Sequence, residues 1–193
     1  FVFSSMVSLL AGTIMVLAGK ADEPSVKEAI VSTVLGWILA VLIGAIPLTH
    51  FMLPLDAVFE SMAGLTTTGI SILLEPSRLP HSMLFWRSFM QWIGGLGILT
   101  FFIAVIRESG GISQRLFSAE AHKTDPGSIR PSLRKSTIDL WRVYGFTTTV
   151  LAGIYLALGM DGFNALIHSF SALSTGGFSS SSASIGAYSH AIQ

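Results

Sequence analysis

Two short polar runs, Thr66-Thr67-Thr68-Gly69 and Ser174-Thr175-Gly176-Gly177, combine residue types that suit the coordination of a cation. A cation that leaves bulk water must exchange its hydration shell for oxygen ligands at fixed spacing, and backbone carbonyls can supply them. Glycine tolerates the unusual φ and ψ values with which a loop can aim successive carbonyls at one axis. The hydroxyls of Thr and Ser add further oxygen ligands or anchor the loop. The two runs are therefore predicted to be cation-binding loops.

The surroundings of the two runs also repeat. When Gly177 is set against Gly69, the residues Ala57, Ser61, Leu65, Thr67, Gly69 and Ser71 recur as Ala165, Ser169, Leu173, Thr175, Gly177 and Ser179. Many transporters and pores are built from such duplicated elements. One alternative is a chance match between short apolar segments, and another is that Gly and Thr only allow close packing of membrane helices. Two matching loops after two matching segments favour a repeated functional unit.

A short helix is expected before each loop. The segments 56–65 and 162–173 are too short to cross a bilayer, which takes roughly 20 apolar residues, so we expect re-entrant helices. Each would direct its C-terminal, partly negative end toward the middle of the membrane, where it favours a cation. Asp56, which follows Pro54 closely, and Asp161 are predicted to cap the N-termini of these helices.

The composition indicates that lipid is the main solvent. Of the 193 residues, 51% are hydrophobic and 11% are charged, whereas a soluble domain has about 25% charged residues. Zero net charge gives no reason to expect a nucleic-acid partner, and the absence of cysteine excludes disulfides and thiolate sites. Four apolar segments are predicted to span the membrane: Phe1–Gly19, Val26–Leu48, Met83–Ile106 and Ile138–Met160.

The predicted fold class is an all-α polytopic membrane protein made of helix–pore-loop–helix repeats. The predicted parts are a transmembrane helix at 1–19, a first repeat at 26–106, a basic linker at 107–137, and a second repeat at 138–193 that lacks its closing helix. Six Lys or Arg residues lie in the linker, but only Arg78 lies between the second and third spans. The positive-inside rule therefore predicts a cytoplasmic linker and re-entrant segments that enter from outside; the alternative for the basic residues is a lipid-binding patch. We expect the chain to be a fragment, because it has neither an initiator Met nor a polar tail.

Arg87 is a charged residue within the third predicted spanning helix. Such a charge is a functional candidate by default, and Arg87 could pair with Glu60 or Glu75 or extend its head group to the interface. We favour an ion pair with Glu60 that supports the first loop over direct ion binding by Arg87. Tight helix packing is the expected role, and a hinge the alternative, for Gly94, Gly95 and Gly97.

Two alternative functions are an intramembrane serine hydrolase and a non-conducting structural subunit. A serine hydrolase within the membrane would need a serine and a general base that meet. Serines are abundant and His168 lies on a predicted short helix, but the sequence has no Gly-x-Ser-x-Gly elbow and the repeat would stay unexplained. The chain is therefore not expected to be an enzyme, and the remaining alternative is a non-conducting structural membrane subunit. The five histidines have no metal-ligand spacing, so no metal or cofactor is expected besides a transported cation.

Three stretches carry a resemblance to a known family: Glu60–Gly69, Phe85–Ile98 with its Trp-Arg-Ser-Phe-Met-Gln-Trp-Ile-Gly-Gly-Leu-Gly sequence, and Ser171–Ser179. From about Val26 to its end, the chain resembles the Trk/Ktr/HKT superfamily of potassium transporters, and within it the TrkH-like bacterial subunits. The resemblance implies a potassium-channel-like fold with four helix–pore-loop–helix repeats around a central path. This chain would hold the first complete repeat and part of the second.

The resemblance also implies a function and partners. The function would be potassium transport, with potassium as the transported ligand and two of the four selectivity-filter loops in this chain. The implied ion-binding residues are Thr66, Thr67, Thr68 and Gly69 in the first filter and Ser174, Thr175, Gly176 and Gly177 in the second, with Arg87 and Glu60 as supporting residues. The implied setting is a multi-pass homodimer in the lipid of the inner cell membrane, with a cytoplasmic nucleotide-binding regulatory subunit. Conduction by this chain alone is not expected, because the third and fourth filters and the gating loop are missing from it.

Overall fold

The computed structural model describes residues 26–108 and 133–188, together with isolated positions between residues 6 and 17. All regular secondary structure in these residues is helical, in agreement with the predicted all-α class. Five α-helices follow one another: α1 Val26–Ala45, α2 Pro54–Leu65, α3 His81–Glu108, α4 Leu133–Ala157 and α5 Gly162–Leu173. Short turns of 3₁₀ helix lie at Ile46–His50, Pro76–Arg78 and Ser184–Ala187.

The three long helices have the dimensions of membrane spans. Within the described residues, Ile30–His50 is the one helical segment that is both long enough and apolar enough to cross a membrane by length and composition. α3 has 28 residues and α4 has 25, so at about 1.5 Å per residue each exceeds the roughly 30 Å hydrocarbon core. α1 leaves Leu35, Ile38 and Leu42 about half exposed while Val41 is buried against its neighbours. One face of α1 therefore packs on protein, and the other suits lipid.

The two short helices, α2 and α5, have 12 residues each, or about 18 Å, which is too short to cross the bilayer. α5 coincides with the predicted segment 162–173, and α2 starts at Pro54 rather than Asp56. Proline suits the first helical turn because its φ is already helical and its missing N–H would have had no partner there. Each short helix therefore begins at, or within two residues of, its predicted position.

The N-termini of the short helices differ in how they are capped. Asp161 caps α5 as predicted, since its carboxylate accepts hydrogen bonds from the backbone N–H groups of Phe163 and Asn164, both at 3.1 Å. The side-chain amide of Asn164 also donates to this carboxylate at 2.6 Å. These bonds, the Asn164 side-chain bond first, hold the pKa of Asp161 below its usual value. The prediction that Asp56 caps α2 is wrong: the N-cap residue is Leu53, without a side-chain bond, and Asp56 lies inside the first turn.

α3 is the central helix of the described fold. An aromatic cluster joins it to α5, with the Phe170 ring 5.9 Å from that of Phe85, 6.1 Å from that of Phe89 and 5.4 Å from that of Trp92. Ring pairs at this spacing are attractive beyond the area that they bury. The Trp92 indole N–H also donates to the Thr148 hydroxyl of α4 at 2.9 Å. α3 therefore contacts the elements of both repeats.

Two of the predicted segments lie largely outside the described residues. They are the spanning segment 1–19 and the linker 107–137, of which the described part is the end of α3 at Glu108 and the start of α4 from Leu133. The cytoplasmic placement of the linker and the predicted domain boundaries stay predictions.

Candidate ion-binding site

The first candidate loop starts with a Schellman motif at the end of α2. The N–H of Thr68 bonds to the Ala63 carbonyl, and the N–H of Thr67 bonds to the Gly64 carbonyl, both at 3.0 Å. In this motif the residue after the C-cap adopts the left-handed conformation; Thr66 is the C-cap, and Thr67 has φ of 54°. The position usually belongs to glycine, because a β-branched side chain is strained there.

The second candidate loop repeats this motif at the end of α5. The N–H of Gly176 bonds to the Ser171 carbonyl at 2.9 Å, and the N–H of Thr175 bonds to the Ala172 carbonyl at 3.1 Å. Thr175 has φ of 56°, within two degrees of the 54° of Thr67 at the matching place. A strained residue costs about 1–3 kcal/mol and persists only where its surroundings enforce it. Its occurrence at the same place in both loops supports a duplicated unit.

The predicted permissive glycines are also in the left-handed region. Gly69 has φ of 74° and Gly177 has φ of 79°. Each loop therefore has positive φ at its second and fourth positions, one a threonine and one a glycine. A side chain at Gly69 would also collide with the carbonyl of Gly176, so the two loops lie directly against each other there. At Gly177 nothing stands within 4 Å of an added Cβ.

In the first loop the backbone N–H groups and two hydroxyls are hydrogen-bonded within the protein, but the threonine carbonyls accept no hydrogen bond from the described residues. Its amides bond back to α2, and no described residue donates a hydrogen bond to the carbonyls of Thr66, Thr67 or Thr68. The Thr66 hydroxyl lies 2.7 Å from both the Met62 carbonyl and the Thr68 hydroxyl, so these side chains anchor the loop. The backbone carbonyls are consequently the polar groups left for an ion, and each can offer a lone pair.

The second loop has more of its carbonyls engaged. The Thr175 hydroxyl donates to the Ser174 carbonyl at 2.7 Å. The Gly176 carbonyl accepts a hydrogen bond from Nε2 of Gln91 at 2.7 Å. Each of these oxygens keeps a second lone pair, whereas no described residue donates to the Thr175 carbonyl. The two loops therefore have similar backbone conformations, but more carbonyls of the second loop accept hydrogen bonds from the protein.

Arg87 forms the predicted ion pair with Glu60. Its Nε and Nη2 atoms donate to Oε1 of Glu60 at 2.8 and 2.5 Å. Both residues are buried, with 1% of Arg87 and none of Glu60 exposed. The Ser71 hydroxyl donates to the same carboxylate oxygen at 2.8 Å, so the pair is tied to the segment that follows the first loop. Glu75, the other predicted partner, instead pairs with Arg78.

Arg87 also reaches the segment after the second loop. Its Nη1 donates to the Ser179 carbonyl at 3.4 Å, and its guanidinium lies 4.1 Å from the centre of the Phe178 ring. A cation over an aromatic face is attracted to the ring. One side chain of α3 therefore holds elements of both repeats.

Gln91 lies one helical turn after Arg87 and also faces the second loop. Besides its bond to Gly176, its Oε1 accepts from the N–H of Phe178 at 3.1 Å and lies 2.6 Å from the Ser171 hydroxyl. That hydroxyl is 2.6 Å from the Phe178 carbonyl too, and its single hydrogen can serve one of the two oxygens at a time. None of Gln91 is exposed.

Two of the predicted packing glycines complete this face of α3. A Cβ at Gly94 would overlap the Leu65 carbonyl, and one at Gly95 would lie 3.1 Å from Cβ of Ser174. Since residues at spacings of four, seven and eight share one side of a helix, α3 presents a loop-facing side made of Arg87, Gln91, Gly94 and Gly95. Packing, rather than a hinge, therefore explains Gly94 and Gly95.

Sequence reasoning missed Gln91, Ser71 and Ser171 as parts of the site. The available signal was the spacing of Arg87 and Gln91, since two strongly polar residues four apart on an apolar helix must both face protein. The left-handed threonines had no such signal, because threonine disfavours that conformation.

The serine hydrolase alternative finds no support in the geometry. His168 occupies the place in α5 that matches Glu60 in α2, and it is 5% exposed. Within the described residues its Nε2 atom has no hydrogen-bond partner, and its ring packs edge-on against Tyr188 at 5.4 Å. The described residues also contain no cluster of His, Asp and Glu that could hold a metal ion.

Sequence comparison identifies the family of this chain. The TrkH family, described as cation transport proteins, matches residues 1–193. The chain belongs to the TrkH family. Its relatives include the Trk system potassium uptake protein TrkH of Halomonas elongata, which is 33% identical over 99% of the chain. The TrkH protein of Escherichia coli is 34% identical over 96% of the chain, and an uncharacterized cation transporter of Methanocaldococcus jannaschii is 35% identical over 93%.

The fold agrees with that of a solved TrkH protein. The crystal structure of the potassium transporter TrkH from Vibrio parahaemolyticus superimposes with a TM-score of 0.82 at 29% identity, over 99% of the chain. This chain covers 39% of that structure's chain, and 41% and 40% of the Halomonas and Escherichia proteins. The all-α membrane-transporter fold with pore-loop repeats is confirmed. The family consists of transport proteins, so the expectation of a non-enzyme agrees with it.

Proposed function

We propose that this TrkH-family chain forms part of the ion pathway of a potassium transporter and supplies two of its four selectivity-filter loops. The observation that carries the proposal is the pair of matching loops, each with left-handed residues at its second and fourth positions. In the first loop the backbone N–H groups donate hydrogen bonds to carbonyls of α2, while three successive carbonyls accept no hydrogen bond from the described residues. Such a loop offers oxygen without hydrogen-bond donors, which suits a cation and repels an anion.

The proposed ligands are backbone carbonyls of both loops. They are those of Thr66, Thr67 and Thr68 in the first loop and of Ser174, Thr175 and Gly176 in the second, with Gly69 and Gly177 as the permissive backbone positions. The C-terminal ends of α2 and α5 would add negative potential at this place. Arg87 and Glu60 would support the loops as a neutralised pair, because a guanidinium beside the ion path would repel a cation.

The proposal extends to the surroundings of the transporter. We place the protein in the inner cell membrane as a multi-pass homodimer in contact with lipid. Relatives named for a Trk system favour a multi-component assembly, in which a cytoplasmic nucleotide-binding subunit would regulate transport. No nucleic-acid partner is proposed.

The test is potassium transport by the whole protein that contains this chain. The protein is expressed in a bacterial strain without potassium uptake, and then reconstituted in vesicles. Growth at low potassium and potassium flux above that of empty vesicles are expected. Membrane-inserted protein that gives neither growth nor flux would favour the alternative of a non-conducting structural subunit.

A further inference from the structure

The peptide groups on either side of Gly177 are bonded to one buried side chain. Nε2 of Gln91 donates to the Gly176 carbonyl on one side, and Oε1 accepts from the Phe178 N–H on the other. These two partners also assign the amide orientation, because a carbonyl needs a donor and an N–H needs an acceptor. A planar amide with a partner at each end fixes the rotation of both peptides relative to α3.

Packing does not restrict Gly177 itself. An added Cβ would meet nothing within 4 Å, whereas at Gly69 it would collide with the other loop. Gly177 has φ of 79°, and glycine has more accessible backbone conformations than any other residue type. The first loop is therefore held at its glycine by steric contact, and the second loop is held by hydrogen bonds from Gln91.

The neighbouring glycine makes room for this arrangement. A Cβ at Gly176 would overlap the amide group of Gln91. The Ser171 hydroxyl, 2.6 Å from Oε1, contacts the amide from α5. Gln91 thus makes polar contacts with three positions of the second repeat, although it belongs to the closing helix of the first.

We propose that Gln91 is a positioning residue for ion selectivity: it holds the peptides around Gly177 in one orientation and so sets the direction of the carbonyls in the second loop. The inference rests on the proposed function as a potassium pathway. An apolar side chain of similar volume would fill the same space, but it would remove the hydrogen bonds that orient the peptides on either side of Gly177.

The experiment measures potassium and sodium fluxes of the whole transporter in vesicles, normalised to the amount of inserted protein. The variants are Gln91→Met, which keeps volume but removes both bonds, and Ser171→Ala, which removes a single hydroxyl at the same amide. Thr148→Val is the matched control, because it removes a buried hydrogen bond between α3 and α4 that touches neither loop.

The potassium-to-sodium flux ratio should fall roughly three- to tenfold in Gln91→Met, because we expect the loss of the two orienting bonds to change selectivity by about the free energy of one ordinary hydrogen bond. Ser171→Ala should lower it less, and Thr148→Val should leave it unchanged. Should Gln91→Met fail to insert, the ratio in Ser171→Ala decides, and an unchanged ratio overturns the inference. An equal loss of potassium and sodium flux in Gln91→Met would also overturn the inference, but it would not contradict the proposed function of the wild-type protein. A wild-type protein that carries no potassium would instead refute the proposed function.

Discussion

Arg87 and Glu60 join the third helix to the first short helix through two hydrogen bonds, of 2.8 and 2.5 Å, that end on a single carboxylate oxygen. Both side chains are buried, so each charge depends on the other for compensation. Removing one partner from such a pair costs about 3–5 kcal/mol, whereas removing both costs less.

We therefore expect Arg87→Gln to lower the stability of the whole transporter more than its selectivity. Adding Glu60→Gln should cost less than the two single changes summed, because the second change removes the uncompensated charge. Thermal unfolding of the detergent-solubilised protein measures the three costs. Strictly additive losses would contradict the coupling, and Arg78→Gln, at the exposed pair with Glu75, serves as a control with little expected effect.

The two loop glycines should respond unequally to alanine. Both have positive φ, which costs a residue with a Cβ roughly 1–2 kcal/mol, but only at Gly69 would the Cβ collide with the neighbouring loop. Gly69→Ala should therefore reduce potassium-over-sodium selectivity and stability more than Gly177→Ala. The control is Gly153→Ala on α4, where the space is open and φ is ordinary, and flux ratios should not change there. Equal effects at the two loop positions would argue against the contact between loops.

Thr67→Gly should stabilise the protein, although it removes a side chain. Glycine removes the strain of a φ of 54°, which stabilises the folded protein by about 1–3 kcal/mol. Its greater freedom in the unfolded chain offsets only about 0.5–1 kcal/mol of this gain. The same sign is expected for Thr175→Gly. Thr149→Gly, inside α4, is a control with the opposite expected sign: it should destabilise the protein, because glycine is unfavourable within a helix. Denaturation midpoints test the sign, and a loss of stability for both loop variants would mean that the threonines are not strained.

Stability at acid pH should depend on Asp161. The bonds from Asn164 and Phe163 lower its folded pKa, so its contribution is present above the unfolded pKa and is lost as the pH falls through the folded value. Asp161→Asn keeps a capping oxygen but cannot titrate, and it should flatten the acid limb of unfolding temperature against pH. Asp161→Ala should cost about 1 kcal/mol at neutral pH. Asp56→Asn removes no N-cap bond, because Asp56 does not cap α2, and it should cost less at neutral pH than Asp161→Ala.

Much of the local structure was predictable because it depends on neighbours in sequence. The bounds of α5, the Asp161 cap and the glycine positions of both loops follow from patterns within about ten residues. The Arg87–Glu60 pair was also predictable, since a charge at membrane depth must find a partner and few carboxylates were in reach.

The remainder was not predictable for two reasons. Threonine at a left-handed position contradicts the residue's own preference, although the bonds that accompany it are local ones to the last turn of each short helix. The other features depend on contacts between residues far apart in sequence. The engagement of Gly176 by Gln91 joins residues that are 85 positions apart. Asp56 was misassigned because Asp after Pro resembles a cap, whereas Pro54 itself occupies the first turn.

The loop-facing side of α3 has a consequence for how such proteins can evolve or be recombined. The predicted repeats divide the chain at the linker, so that α3 would end the first unit of the duplication. Its side chains nevertheless fit the loop of the second unit, through Gln91 to Gly176 and Arg87 to Ser179. The predicted repeat therefore differs from the set of residues that must remain compatible, because α3 of the first repeat contacts the loop of the second. A chimera that exchanges the second repeat between relatives needs the donor's α3 as well, and a crossover within the linker separates residues that must change together.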